Sequence, residues 1–81
     1  SEAKSTVEYR IQVAAPATRE EAEDVIAKLT AMGYHANVAR AIVRNAEVFR
    51  VRVGPFETLQ SAEEVAERLR QDGFSGAWIV R

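Results

Sequence analysis

Two kinds of hydrophobic pattern alternate along this chain, and the alternation occurs twice. Tyr9-Arg10-Ile11-Gln12-Val13 and Phe49-Arg50-Val51-Arg52-Val53 place apolar and polar residues at a period of two, as a strand with one wet face does. Ile11, Val13, Phe49, Val51 and Val53 are expected to point into a core. The same parity sends Arg10, Gln12, Val48, Arg50 and Arg52 the other way. After each strand the period lengthens to that of a helix. Ala22, Val25, Ile26 and Leu29 fall on one side in the first half, and Ala62, Val65, Ala66 and Leu69 in the second. Glu23, Lys28, Glu63, Glu67 and Arg70 fall on the opposite side. Thr18 and Thr58 stand at the N-cap positions, where a hydroxyl oxygen accepts from an otherwise unpartnered backbone N–H, and Glu21 completes a capping box with Thr18. Gly33 and Gly73 suit left-handed C-caps. Second strands are predicted at about residues 36–42 and 76–80, and residues 43–47 as the hairpin loop between the halves.

Slid along itself by 40 residues, the chain matches in detail. Arg10 meets Arg50, Val13 meets Val53, Thr18 meets Thr58, Ala22-Glu23 meets Ala62-Glu63, Leu29 meets Leu69 and Gly33 meets Gly73. Two βαβ units in series give βαββαβ, an α+β fold of the split βαβ type (ferredoxin-like, RNP-like). Its first and third strands are central in a four-stranded antiparallel sheet, and both helices cover one face. The other face is open, and its side chains carry the chemistry.

Composition narrows that chemistry. With 81 residues the chain has room for one small domain; residues 7–81 are read as that domain and residues 1–6 as a flexible N-terminal segment or linker. There is no Cys and a single His, His35, so thiolate zinc sites, cysteine nucleophiles, disulfide scaffolds and His-rich metal centres are excluded, and no metal or other cofactor is expected. Eleven basic against twelve acidic side chains give a net charge of −1, which does not favour non-specific nucleic-acid binding. No apolar run approaches the length of a membrane span, so no membrane contact by this domain is expected. Without an initial Met or an apolar signal core, the chain reads as a piece of a longer protein.

On the open face, Arg10, Gln12, Arg50 and Arg52 sit at the sheet centre. In the last strand small Ala77 suits the space under the helices and leaves Trp78 open, although parity alone permits the reverse. Residues 37–40 do not alternate, so the facing of the second strand stays unassigned. Solvated arginines are commonplace on protein surfaces. Here, however, a planar five-donor group, an amide and an exposed indole occur together, which describes a site for an oxygen-rich, mildly anionic chain such as a glycan bearing carboxylates and acetamido groups.

Ile11-Gln12-Val13 and Phe49-Arg50-Val51-Arg52-Val53-Gly54-Pro55-Phe56 resemble the motifs of the SPOR domains, bacterial modules that bind peptidoglycan. The resemblance runs from about residue 7 to residue 81. It departs where the family has Gly-Ser-Phe and this chain has Ala14-Ala15-Pro16, which removes a hydroxyl at the position of Ala15. The resemblance implies binding of glycan strands stripped of stem peptides, in the periplasm or cell envelope at the division septum, by a monomeric domain of a parent envelope protein. It places the contacts on Gln12, Val48, Arg50 and Trp78, with the position of Ala15 weakened. Arg50 would meet a carboxylate or ring oxygens and Gln12 an acetamido group, while Trp78 stacks on a sugar and Arg10 and Arg52 attract the acidic strand from further away. A flat sheet face would leave a peptide branch nowhere to go.

Other function classes fit less well. A catalytic reading lacks a nucleophile and base, since the two Asp lie in or at the end of helices. An RNA-recognition module stacks bases on aromatics of its central strands, whereas Tyr9 and Phe49 point inward here and no nucleic-acid partner is expected. The remaining alternative is a protein-interaction or small-ligand regulatory domain that docks an acidic partner on the same arginines. Gly54-Pro55-Phe56 is expected to set the turn into the second helix, with Phe56 plugging the core edge, and Tyr34 and Phe74 to seal the helix ends.

Overall fold

Thr18 and Thr58 start the two helices as their residue type dictates. Each side-chain oxygen accepts from a backbone N–H three residues on, Thr18 from Glu21 at 3.2 Å and Thr58 from Ser61 at 3.1 Å. The computed structural model describes residues 7–81. The segment read as a linker, residues 1–6, lies outside the described residues. The elements run β1 (Tyr9–Ala14), α1 (Arg19–Ala31), β2 (Ala36–Val43), β3 (Ala46–Phe56), α2 (Leu59–Gln71) and β4 (Trp78–Val80). They form a four-stranded sheet in the order β2-β3-β1-β4, antiparallel at every pairing, with β1 and β3 central as predicted.

The core lies between the sheet and both helices. Ile11, Val13, Phe49, Val51, Val53 and Ala77 from the strands meet Ala22 and Leu29 of α1 and Ala66 and Leu69 of α2, all buried. Ile11, Val51, Leu29 and Leu69 are the largest fully buried side chains, and burying each stabilises the fold by roughly 1.5–3 kcal/mol. Tyr34, Phe56 and Phe74 pack half-buried against this cluster, closing the ends as expected. Met32 and Asp72 cap the helix ends, and Gly33 and Gly73 follow with φ of 92° and 108°, conformations that a side chain disfavours.

Three boundaries differ from the sequence expectation. The connection between halves is only Arg44-Asn45, with φ of 52° and 67°; Val43 and Ala46 already pair, so β2 and β3 form a hairpin closed by a two-residue turn of the I′ kind. β4 begins at Trp78 because Ser75 and Gly76 belong to a turn in which the Ala77 N–H donates to the Phe74 carbonyl at 3.0 Å. Gly54-Pro55-Phe56 does not make the turn into α2 but ends β3, where the pairing with β1 slips and Phe56 comes opposite Tyr9. Gly54 adopts φ of 134° there, and a Cβ on it would stand 3.2 Å from the Phe56 ring and from the Tyr9 carbonyl oxygen.

Candidate functional site on the open sheet face

Strand pairing fixes which side chains share the uncovered face. Gln12 lies opposite Trp78 on one side and opposite Arg52 on the other, and Arg52 lies opposite Asn37. Trp78, Gln12, Arg52 and Asn37 therefore form one row across all four strands, about 14 Å long at the usual strand spacing. Arg50 opposite Ala39 makes the next step on β3, and Val48 opposite Ala41 the one after. Arg10 lies opposite Val80 at the other end.

The facing of the last strand, open to two readings in the sequence, is decided by burial. Trp78 is 57% exposed and Ala77 3%. The second strand resolves as well: Asn37 and Ala39 share the face of Arg52 and Arg50, while Ala36 and Val38 pack toward the core. Asn37 thus joins the site although the sequence reading left it out. Arg40 has the opposite parity, beside Phe49, and forms an ion pair with Glu47. Val48 is half-buried on the open face, and Ala15 is exposed just beyond the end of β1.

Charge is distributed unevenly. α1 carries four carboxylates and α2 three, whereas no strand residue on the open face is acidic. Arg10 is paired with Glu8, just before β1, at 3.2 Å. Among the described residues, Arg50 and Arg52 have no carboxylate within 4.0 Å. Arg52 is held by its Nε donating to Gln12 Oε1 at 3.2 Å, which leaves its terminal nitrogens and the Gln12 amide nitrogen free of protein partners. Arg10, Arg50 and Arg52 line a depression of about 140 Å³ together with Asn37, Val38 and Ala39. That is room for a small polar group of a longer ligand lying on the face. The larger cavity, about 380 Å³, lies elsewhere, between Tyr34, His35, Phe56 and Val65, and carries no charged cluster. His35 is exposed in the loop that enters β2, as expected.

An uncovered sheet with aligned indole, amide and guanidinium groups can hold a long oxygen-rich ligand against its surface. Among the described residues no cluster of metal-ligating side chains occurs, and no helix is long and apolar enough to cross a membrane.

The architecture is shared with solved structures. The chain is similar to the SPOR domain of RlpA from Pseudomonas aeruginosa, with 24% identity over 93% of this chain and 99% of that one and a TM-score of 0.79. It is also similar to the peptidoglycan binding domain of the B. subtilis cell wall lytic enzyme CwlC, with 22% identity over 94% and 91% of the two chains and a TM-score of 0.75. At such identities these likenesses bear on the fold. A comparison with curated proteins finds no match. A family model described as SPOR domain matches residues 5–81, which takes in every strand and helix described above. The strand motifs that raised the resemblance are thus set in the fold and family pattern that go with them, and this chain belongs to the SPOR domain family.

Proposed function

We propose that this chain is a non-catalytic peptidoglycan-binding module whose open sheet face holds glycan strands denuded of stem peptides. The single observation that carries the reading is the row Trp78, Gln12, Arg52, Asn37, with Arg50 beside it. An exposed indole gives a sugar ring an apolar platform. The free Gln12 amide nitrogen donates to an acetamido carbonyl, and the guanidinium groups meet oxygens or carboxylates. Val48 adds an apolar contact, and Arg10 and Arg52 add attraction for an acidic strand. Membership of the SPOR family supports this assignment, as does the likeness to a domain of CwlC named for peptidoglycan binding. In this reading the domain acts as a monomer in the bacterial periplasm and targets a parent envelope protein to the division septum, where amidases expose such glycan.

Co-sedimentation of the domain with peptidoglycan sacculi, before and after an amidase strips the stem peptides, tests it. Stronger pelleting after stripping, lost in Arg50→Ala and Trp78→Ala, is the expected result. Pelleting in neither condition overturns the reading and favours an acidic protein partner on the same arginines.

A further inference from the structure

We propose that the depression bounded by Arg50, Arg52 and Asn37 is a carboxylate subsite, and that preference for stripped glycan arises there from charge. The proposal rests on the glycan reading above and names the group that this part of the site reads. In an intact strand the lactyl carboxyl of the muramic sugar is tied up as a neutral amide to the stem peptide. Hydrolysis of that amide gives the amine to the peptide and leaves a carboxylate on the sugar. A flat face would discriminate by bulk alone; this face carries, in addition, a feature matched to the charge.

Two guanidinium groups project from alternate positions of β3, roughly 7 Å apart along the strand, and among the described residues neither has an acidic partner. Their neighbours on the sheet do not neutralise them, since the facing positions on β2 are Asn37 and Ala39. Arginine with no acidic partner commonly extends into water, but Arg52 is fixed by Gln12 Oε1 with its terminal nitrogens unused. Both arginines are half-buried and line the same small depression, which has room for a carboxylate and its attached carbon. Small Ala39 leaves that space open, and Asn37 at its edge supplies an amide donor. Arg10, already paired with Glu8, contributes less. A planar fork of N–H donors matches a carboxylate's two oxygens, and such charge-assisted bonds are the stronger kind. An amide in the same place offers one neutral acceptor oxygen and no charge.

Trp78 is the only tryptophan, so its fluorescence reports binding without a label. Amidase-stripped glycan oligomers are divided into two portions, and in one the carboxylates are converted to methylamides. That change removes the charge and adds far less bulk than a peptide. The unmodified oligomers are expected to bind about tenfold or more tightly than the methylamide form. Arg50→Gln and Arg52→Gln should weaken binding of the carboxylate form more than that of the methylamide form, so that the ratio of the two affinities falls toward one, and unfold at the same temperature as the parent domain. Equal affinity for the two forms would overturn the carboxylate subsite while leaving the glycan reading intact. Failure of both forms to bind would overturn the glycan reading, and this proposal with it.

Discussion

The two βαβ halves agree through their helices and part at their second strands. Gly33 and Gly73 end equivalent helices, and the next N–H groups, of Tyr34 and Phe74, donate to equivalent carbonyls, Leu29 and Leu69, each at 2.9 Å. In the first half Ala36 turns inward two residues after its aromatic; in the second, the turn at Ser75 and Gly76 delays the inward residue to Ala77, three after. A slip of one residue sends every later side chain to the other face. Val38 therefore packs toward the core while Trp78, its partner at the 40-residue offset, stands on the open face. A scaffold that repeats is thus made asymmetric at the site by a single extra turn residue. The first and third strands stay in phase at that offset, with Ile11 and Val51, and Val13 and Val53, buried alike, so Arg10 and Arg50, and likewise Gln12 and Arg52, stay on one face.

Where the halves agree, matched substitutions should cost alike. Leu29→Ala and Leu69→Ala, each in a fully buried site, should lower stability by about 2–5 kcal/mol in chemical denaturation. A large inequality would break the symmetry of the two core contributions. Where they differ, deletion of Ser75 should impose the first-half spacing on the second. Ala77 then falls two residues after Phe74, as Ala36 does after Tyr34, so Ala77 stays inward and Trp78 stays on the open face with its emission and glycan binding kept; emission shifted to shorter wavelength would contradict the register argument.

That slip was not legible in advance. β1 and β3 alternate bulky apolar with charged residues, so their facing could be read directly, and with it Arg10, Gln12, Val48, Arg50 and Arg52. β2 mixes Ala36, Ala39 and Ala41 with Asn37 and Arg40, and alanine tolerates either face, so no contrast was available to orient it. The missing signal was the turn. Had the two-residue connection at Arg44-Asn45 been recognised, stepping back along both strands from Val43 opposite Ala46 would have brought Asn37 opposite Arg52. Arginine in a left-handed conformation concealed it, since such turns favour Asn-Gly or Asp-Gly. Ser75-Gly76 carried a turn signal that the predicted strand at residues 76–80 overrode.

Smaller effects sharpen the comparison. Gly54→Ala should cost more stability than Gly33→Ala or Gly73→Ala. All three have positive φ, worth about 1–2 kcal/mol each, but only at Gly54 does the added carbon crowd a ring and a backbone oxygen. Equal costs in thermal unfolding would show that the close approach at the end of β3 relaxes. Thr18→Ala and Thr58→Ala should each cost about 1 kcal/mol by loss of an N-cap, the same in both halves. Smallest in stability, though not in binding, is Trp78→Ala. It should change unfolding by under about 0.5 kcal/mol because the side chain is largely exposed, yet abolish most of the pelleting with stripped sacculi.

The central claim is that the uncovered sheet face binds glycan and the helical face does not. Backbone amide chemical shifts, followed while stripped glycan oligomers are added to the labelled domain, test it most directly. The account predicts changes clustered on Gln12, Asn37, Arg50, Arg52 and Trp78, with α1 and α2 silent. Changes centred on the helices, or on the cavity beside Tyr34 and His35, would contradict it.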